Sequence, residues 1–281
     1  MRFIRLLGAA LAGAVAIFSV ANAQTRTVKI ASEGAYPPWN ITQSDGTLTG
    51  FEIDLAHDLC DRMKVKCEIT AQDWDGLIPG MNVGKYDAIM AGMSITEERL
   101  KAVSFSVPYA REPNGFITEK GSSLENMPGT GKVFNLDKDE ASAIKAIDEI
   151  KPALQGKTLG VQTSTTHSLL ADKYLKGVVE VKEYKSVPEH DLDLAAGRLD
   201  LVLADRSTLT ASLEKPDLQN YTYTGPMFVG GVVGSGVGVA LRKDDAELKT
   251  MFDEAIKAAI ADGTVKKLSE KWFHADNTPQ D

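Results

Sequence analysis

An α/β fold built as two successive units is predicted by three observations. Short apolar segments of strand length alternate with amphipathic helical segments. That alternation is interrupted by "REPNG" at residues 111–115 and restarts near residue 157. Polar residues gather just beyond the carboxyl ends of four apolar segments, where open α/β sheets place their ligands.

The elements follow in order. "TVKIA" (27–31) reads as a buried strand and leads into the turn-rich "EGAYPPWN". "FEIDLAHDLCDRM" places Phe51, Leu55, Leu59 and Met63 at four-residue steps, the pattern of a helix with one face turned inward. "KCEITAQ" alternates like a strand and "YDAIMAGM" reads as a second buried one. In the second unit come the strand "KTLGVQ" (157–162), the helix "HSLLADKYL", and the strands "VVEVKEY" and "LDLVLA" (199–204). Between the units, a Gly- and Asp-rich loop leads to a helix with Ile144, Ile147 and Ile150 on one face, read as an elaboration of the second unit. The Gly-rich "MFVGGVVGSGVGVALRK" precedes two closing helices separated by the stop signal Gly263.

Residues 1–23 have the character of a cleaved secretory leader. Arg2 and Arg5 precede an apolar run ending in Ala21-Asn22-Ala23, and the run is shorter than the roughly 20 residues that span a bilayer. Residue 24 is Gln, so no lipid-anchored end is indicated. Removing Arg2 and Arg5, with no acid in the leader, takes the formal net charge from −8 to −10. Such acidity disfavours nucleic acid and anionic membranes as partners. Cys60 and Cys67 are the only cysteines. Export favours a disulfide between them; reduced core thiols or half of a metal site are the alternatives, and the lack of CxxC and HExxH motifs argues against metal.

Four strand ends supply the candidate site. After the first strand come Glu33, Tyr36 and Trp39; after "YDAIMAGM" come Ser94, Thr96 and Arg99. After "KTLGVQ" come Thr163 to Thr166, and after "LDLVLA" comes Asp205. Ser94 and Glu97 have the spacing of a capping box, which assigns Ser94 as the cap of a helix carrying Arg99 in its first turns. A guanidinium beside free helix N–H groups can hold a carboxylate. The bland alternative is a capped helix with a surface arginine. The Ser164/Thr165 turn could serve the same anion or be an ordinary cap; Asp205 could cap the next helix or receive an ammonium. Glu33 is left for a cation at the far end of the ligand, and Tyr36 and Trp74 could stack on its chain, although core packing explains Trp74 equally well. Together these groups match a zwitterionic amino acid, whose buried charges must each be paired.

The chain resembles the periplasmic binding proteins of polar amino-acid ABC transporters, in the group that includes lysine/arginine/ornithine-, histidine- and opine-binding members. The motifs that carry this are "GFEIDLAHDLC", "DWDGLIPGM", "YDAIMAGMSITEER", "FSVPY", "AGRLDLVLAD", "VGVALRKDD" and "DGTVKKLSEKWF". "ASEGAYPPWN", "STTHSLLADKYLKG" and "EYKSVPEHDLDL" are similar to the nopaline- and octopine-binding members in particular. The resemblance implies a type II fold of two α/β lobes, each with a mixed, mostly parallel sheet, joined by two crossover segments. The first lobe would comprise residues 24–111 and 229–281, the second 112–228.

It also implies roles. Arg99, Ser94 and the Ser164/Thr165 turn match the carboxylate binders, Asp205 the α-ammonium binder, Glu33 the distal-group binder, Tyr36 and Trp74 the aromatic walls, and Cys60–Cys67 a disulfide. Lysine- and arginine-type members carry two serines where this chain has Ala91 and Gly92, which makes room for a bulkier opine; Asp205 favours a free ammonium instead. His167 or Asn114 could meet an opine's second carboxylate. The expectation is a monomeric periplasmic receptor, without cofactor or metal, that delivers an amino acid or opine to an inner-membrane permease. The competing reading is an exported dehydratase on the same scaffold, with Glu33 and His167 as its acid–base candidates. A sensor domain is a third reading, weakened by the absence of an output module or a transmembrane segment.

Overall fold

The computed structural model describes residues 26–279; the expected leader lies outside them. Two mixed sheets organise the chain. The first has five strands in the order Lys66–Ala71, Thr27–Ser32, Ala88–Ile89, Ala240–Leu241 and Ser104–Phe105. Its first three strands run parallel, and Ala240–Leu241 runs antiparallel to both neighbours. The second has six strands in the order Glu180–Tyr184, Thr158–Gln162, Leu201–Asp205, Asn114–Glu119, Tyr221–Val229 and Val133–Asn135. Asn114–Glu119 runs antiparallel to both of its neighbours, and the first three strands are parallel. Each sheet with its helices forms a lobe, and the chain passes between lobes after Phe105 and again after Val229.

The helices form where the apolar spacing asks for them. Helix Phe51–Met63 buries Phe51, Leu55 and Leu59 on one face and packs against the closing helices Ala246–Ala261 and Thr264–Phe273. Lys64 ends it in the left-handed conformation, and a Cys60–Cys67 disulfide ties its last turn to the neighbouring strand, with Cα atoms 6.1 Å apart. Helix Glu140–Leu154 caps itself through Asp139 and buries Ile147 and Ile150 in the second lobe, but Ile144 faces solvent, because the next turn's apolar stripe is centred on Ala143, Ala146 and Ile147. Only Ala88–Ile89 of "YDAIMAGM" pairs in the sheet; beyond it Met90 and Met93 pack into the core while Ala91 and Gly92 line the cleft.

The two crossovers run side by side, with Ala110 bridged to Val237. The segment after the last helix is drawn into the same place: Asn277 accepts the Arg111 N–H through its carbonyl at 2.8 Å and donates its side-chain amide to Glu112 at 3.1 Å. Glu112 is buried and also accepts both the backbone N–H and the hydroxyl of Ser207. Burial, then the nearby Asp205, pushes the Glu112 carboxyl up to about 8.

Candidate ligand-binding site

Strand ends from both lobes converge on one chamber. Glu33, Tyr36, Trp74, Ala91, Gly92, Ser94 and Arg99 line it from the first lobe, and Gln162, Thr165, Thr166, His167 and Asp205 from the second. A larger, open groove lies between helices Glu97–Ala102 and Thr166–Tyr174, lined by Leu100, Leu169 and exposed charges. The smaller chamber holds the enclosed polar groups and is the candidate site.

Asp205 ends a fully buried strand and stands at the N-cap position of helix Arg206–Leu213, yet its side chain caps nothing. Its Oδ2 instead accepts the Tyr36 hydroxyl at 2.5 Å across the cleft, and its Oδ1 lies 3.6 Å from His167 Nε2. Burial, and then the Asp205 carboxylate, holds the Tyr36 hydroxyl pKa well above the usual range, so Tyr36 remains a donor. His167 Nε2 also meets Asn114 Oδ1 at 2.7 Å. This corner presents negative charge and suits an ammonium.

Glu33 is buried directly beyond the strand Thr27–Ser32. Its Oε1 accepts the Gln162 amide at 2.7 Å, while its buried Oε2 has no protein partner among the described residues. Burial raises its pKa to about 8 despite the Gln162 bond. A cationic group brought to Oε2 would restore its ionisation and satisfy it.

Arg99 also lines the chamber. Its Nη1 donates to the Ser94 carbonyl at 3.0 Å and its Nη2 to the Ser164 carbonyl at 3.3 Å, and its guanidinium lies 5.1 Å from the Trp74 ring centre. Trp74 Nε1 donates to the same Ser164 carbonyl. Enclosure lowers the Arg99 pKa to about 10, which leaves the half-buried side chain charged. Two of its five N–H donors are directed to these carbonyls, so others are available to an anion.

Several expectations are corrected here. The cap of helix Glu97–Ala102 is Thr96, whose hydroxyl accepts the Arg99 N–H at 3.2 Å; Ser94 cannot take that role because its backbone is bridged to Val237. Ser94 still lines the chamber. Ser164 does not line it: with φ of 57° its carbonyl, and not its N–H, is turned to Arg99 and Trp74. The Thr165 hydroxyl is committed to capping, accepting the Ser168 N–H and donating to the Gln162 carbonyl at 2.6 Å. Trp39 is fully buried in the core. Ala91 and Gly92 form the floor beside Tyr36, and Gly92 has φ of 61°, where a Cβ would lie 3.1 Å from the Tyr36 ring. Thr166, one of the strand-end hydroxyls, does line the chamber. Gln162 was missed; it is the last residue of its strand, so the strand-end rule applied one position earlier finds it.

Residues 28–275 match the bacterial extracellular solute-binding proteins, family 3. The chain belongs to that family. This family 3 protein is 47% identical over 285 residues to the octopine-binding periplasmic protein of Rhizobium meliloti, covering 94% of this chain and 97% of that one. It is 36% identical over 280 residues to the L-arginine-binding protein of Pseudomonas aeruginosa, covering 98% of each. Among solved structures, a periplasmic binding protein of Salmonella typhimurium with high arginine specificity superposes with a TM-score of 0.74 at 26% identity, covering 89% of this family 3 chain and all of that one. The family is one of binding proteins, and the dehydratase reading is not favoured.

Proposed function

We propose that this protein is the periplasmic receptor of an ABC transporter for arginine or an arginine-derived opine. The observation that carries the reading is a single enclosed chamber with Arg99 at one corner, Asp205 with Tyr36 at a second, and the unpartnered Glu33 Oε2 at a third. A carboxylate, an α-nitrogen and a distal guanidinium answer these three in turn. Relatives named for octopine and L-arginine support the same chemistry.

Lobe closure is the output that a permease would read. Residues 24–111 with 229–281 would move as one lobe against 112–228. Bonds that span the cleft support a closing motion: Tyr36 to Asp205, Gln162 to Glu33, Arg99 and Trp74 to Ser164, and Trp39 to Ser207. Secretion through residues 1–23 and monomeric action are part of this proposal. Titration calorimetry against arginine, octopine, nopaline, ornithine and histidine tests it: binding of arginine or an opine is expected, and failure to bind any of the five overturns it.

A further inference from the structure

Glu52 lies in the first turn of helix Phe51–Met63, is fully buried, and does not line the chamber. Its Oε1 accepts the Gly92 N–H at 2.7 Å and the Tyr109 hydroxyl; its Oε2 accepts the Asn40 side-chain amide at 2.7 Å. Asn40 Oδ1 in turn accepts the Gly34 N–H at 2.7 Å. Gly34 and Gly92 both have positive φ, and they belong to the two loops that carry Glu33 and Tyr36 on one side and Ala91 and Ser94 on the other. Tyr109 sits where the first crossover begins.

We propose that Glu52 is a positioning residue for ligand binding: one buried carboxylate fixes the Gly92 amide directly and the Gly34 amide through Asn40, and so sets the wall of the chamber. The chemistry requires a group that only accepts. A glutamine that keeps its carbonyl on Gly92 and Tyr109 turns its NH₂ on the Asn40 NH₂. Flipping Asn40 relieves that clash only by turning NH₂ on the Gly34 N–H. Reversing the glutamine instead confronts the Gly92 N–H. Every arrangement leaves a buried donor facing a donor, and the misfit falls on a loop that carries binding residues.

The same logic predicts a rescue. In Glu52→Gln combined with Asn40→Asp, the glutamine NH₂ donates to one Asp oxygen and the other oxygen accepts the Gly34 N–H, so the chain is satisfied again with its charge moved to position 40. This inference rests on the arginine reading for its affinity measurement but has its own readout in the amide resonances of Gly34 and Gly92.

Wild type, Glu52→Gln and the double variant would be compared by titration with arginine, by thermal melting and by amide chemical shifts. The single variant is expected to lose about tenfold or more in affinity for arginine, with the Gly34 or Gly92 amide proton moving upfield, and the double variant to recover both. Unchanged affinity and unchanged amide shifts in folded Glu52→Gln would overturn the proposal, as would a double variant no better than the single. If the single variant does not fold, recovery of fold and binding in the double variant supports the role, and failure to recover overturns it. If wild type binds no arginine, the arginine reading falls, and the amide shifts decide the role of Glu52.

Discussion

Trp39 of the first lobe donates its indole N–H to Ser207 Oγ of the second at 3.0 Å, and the Ser207 hydroxyl in turn donates a hydrogen bond to Glu112 in the crossover at 2.6 Å. A buried core aromatic is thereby wired across the cleft into the hinge. Trp39→Phe keeps most of the packing against Phe51 and Phe273 but removes this donor. It is expected to weaken arginine binding by about 1 kcal/mol, roughly fivefold, measured by calorimetry at a temperature where the variant is fully folded. Unaltered affinity would mean that the bond is incidental to closure.

Arg99 both faces the chamber and grips the Ser164 carbonyl of the other lobe. Arg99→Ala is expected to cost about 2–5 kcal/mol of binding free energy. Arg99→Lys should recover little of it, because an ammonium cannot hold a carboxylate as a fork while reaching both carbonyls. Micromolar affinity retained by the alanine variant would reduce Arg99 to a structural part.

Binding should depend on pH through Glu33. With its pKa raised to about 8, the carboxyl is mostly protonated at pH 7 and must ionise to meet a guanidinium. Arginine binding at pH 7 should therefore release a proton, and affinity should rise from pH 6 to about 8 and level off above it. Calorimetry in two buffers of different ionisation enthalpy reads the proton directly. Glu33→Gln should abolish the slope and weaken arginine more than a neutral amino acid.

The same groups set a stability profile. Glu33 and Glu112 have folded-state pKa values near 8 against an ordinary 4.5, so between those limits the folded chain holds protons that the unfolded chain has released. Stability contributed by these groups is present at low pH and is lost as pH rises through that window. Melting of the ligand-free protein should fall by about 5 °C or more between pH 5 and pH 8, and a Glu33→Gln, Glu112→Gln double variant should flatten that fall.

Removing the Cys60–Cys67 bond, by reduction or by Cys→Ala at both positions, is expected to cost about 2 kcal/mol of stability, read by denaturant unfolding. Arginine affinity should be unchanged, because neither cysteine lines the chamber. A loss of affinity in the folded variant would contradict that separation.

The sequence made the parts legible where local rules govern. Four-residue apolar steps marked helix Phe51–Met63, and the strand-end rule led to Glu33, Arg99 and Asp205, which do meet in one chamber. It misled where distant backbone decides. Two hydroxyls, Ser94 and Thr96, competed for one cap, and a bridge from Ser94 to Val237 in the other crossover settled it. Glu52 was hidden because "FEIDLA" reads as one turn of an ordinary amphipathic helix; its partner Gly92 lies far along the chain. Ser164 supplied a carbonyl where N–H groups were expected, since a left-handed backbone at a serine has no signature in composition.

Asn277 lies beyond the last helix yet bonds to Arg111 and Glu112 at the first crossover. For anyone converting this receptor into an optical biosensor, that stitch makes the segment around Asn277 a poor anchor for a fluorophore. A label there would perturb the pivot it is meant to report, whereas exposed Leu192 on the far lobe offers a quiet attachment point.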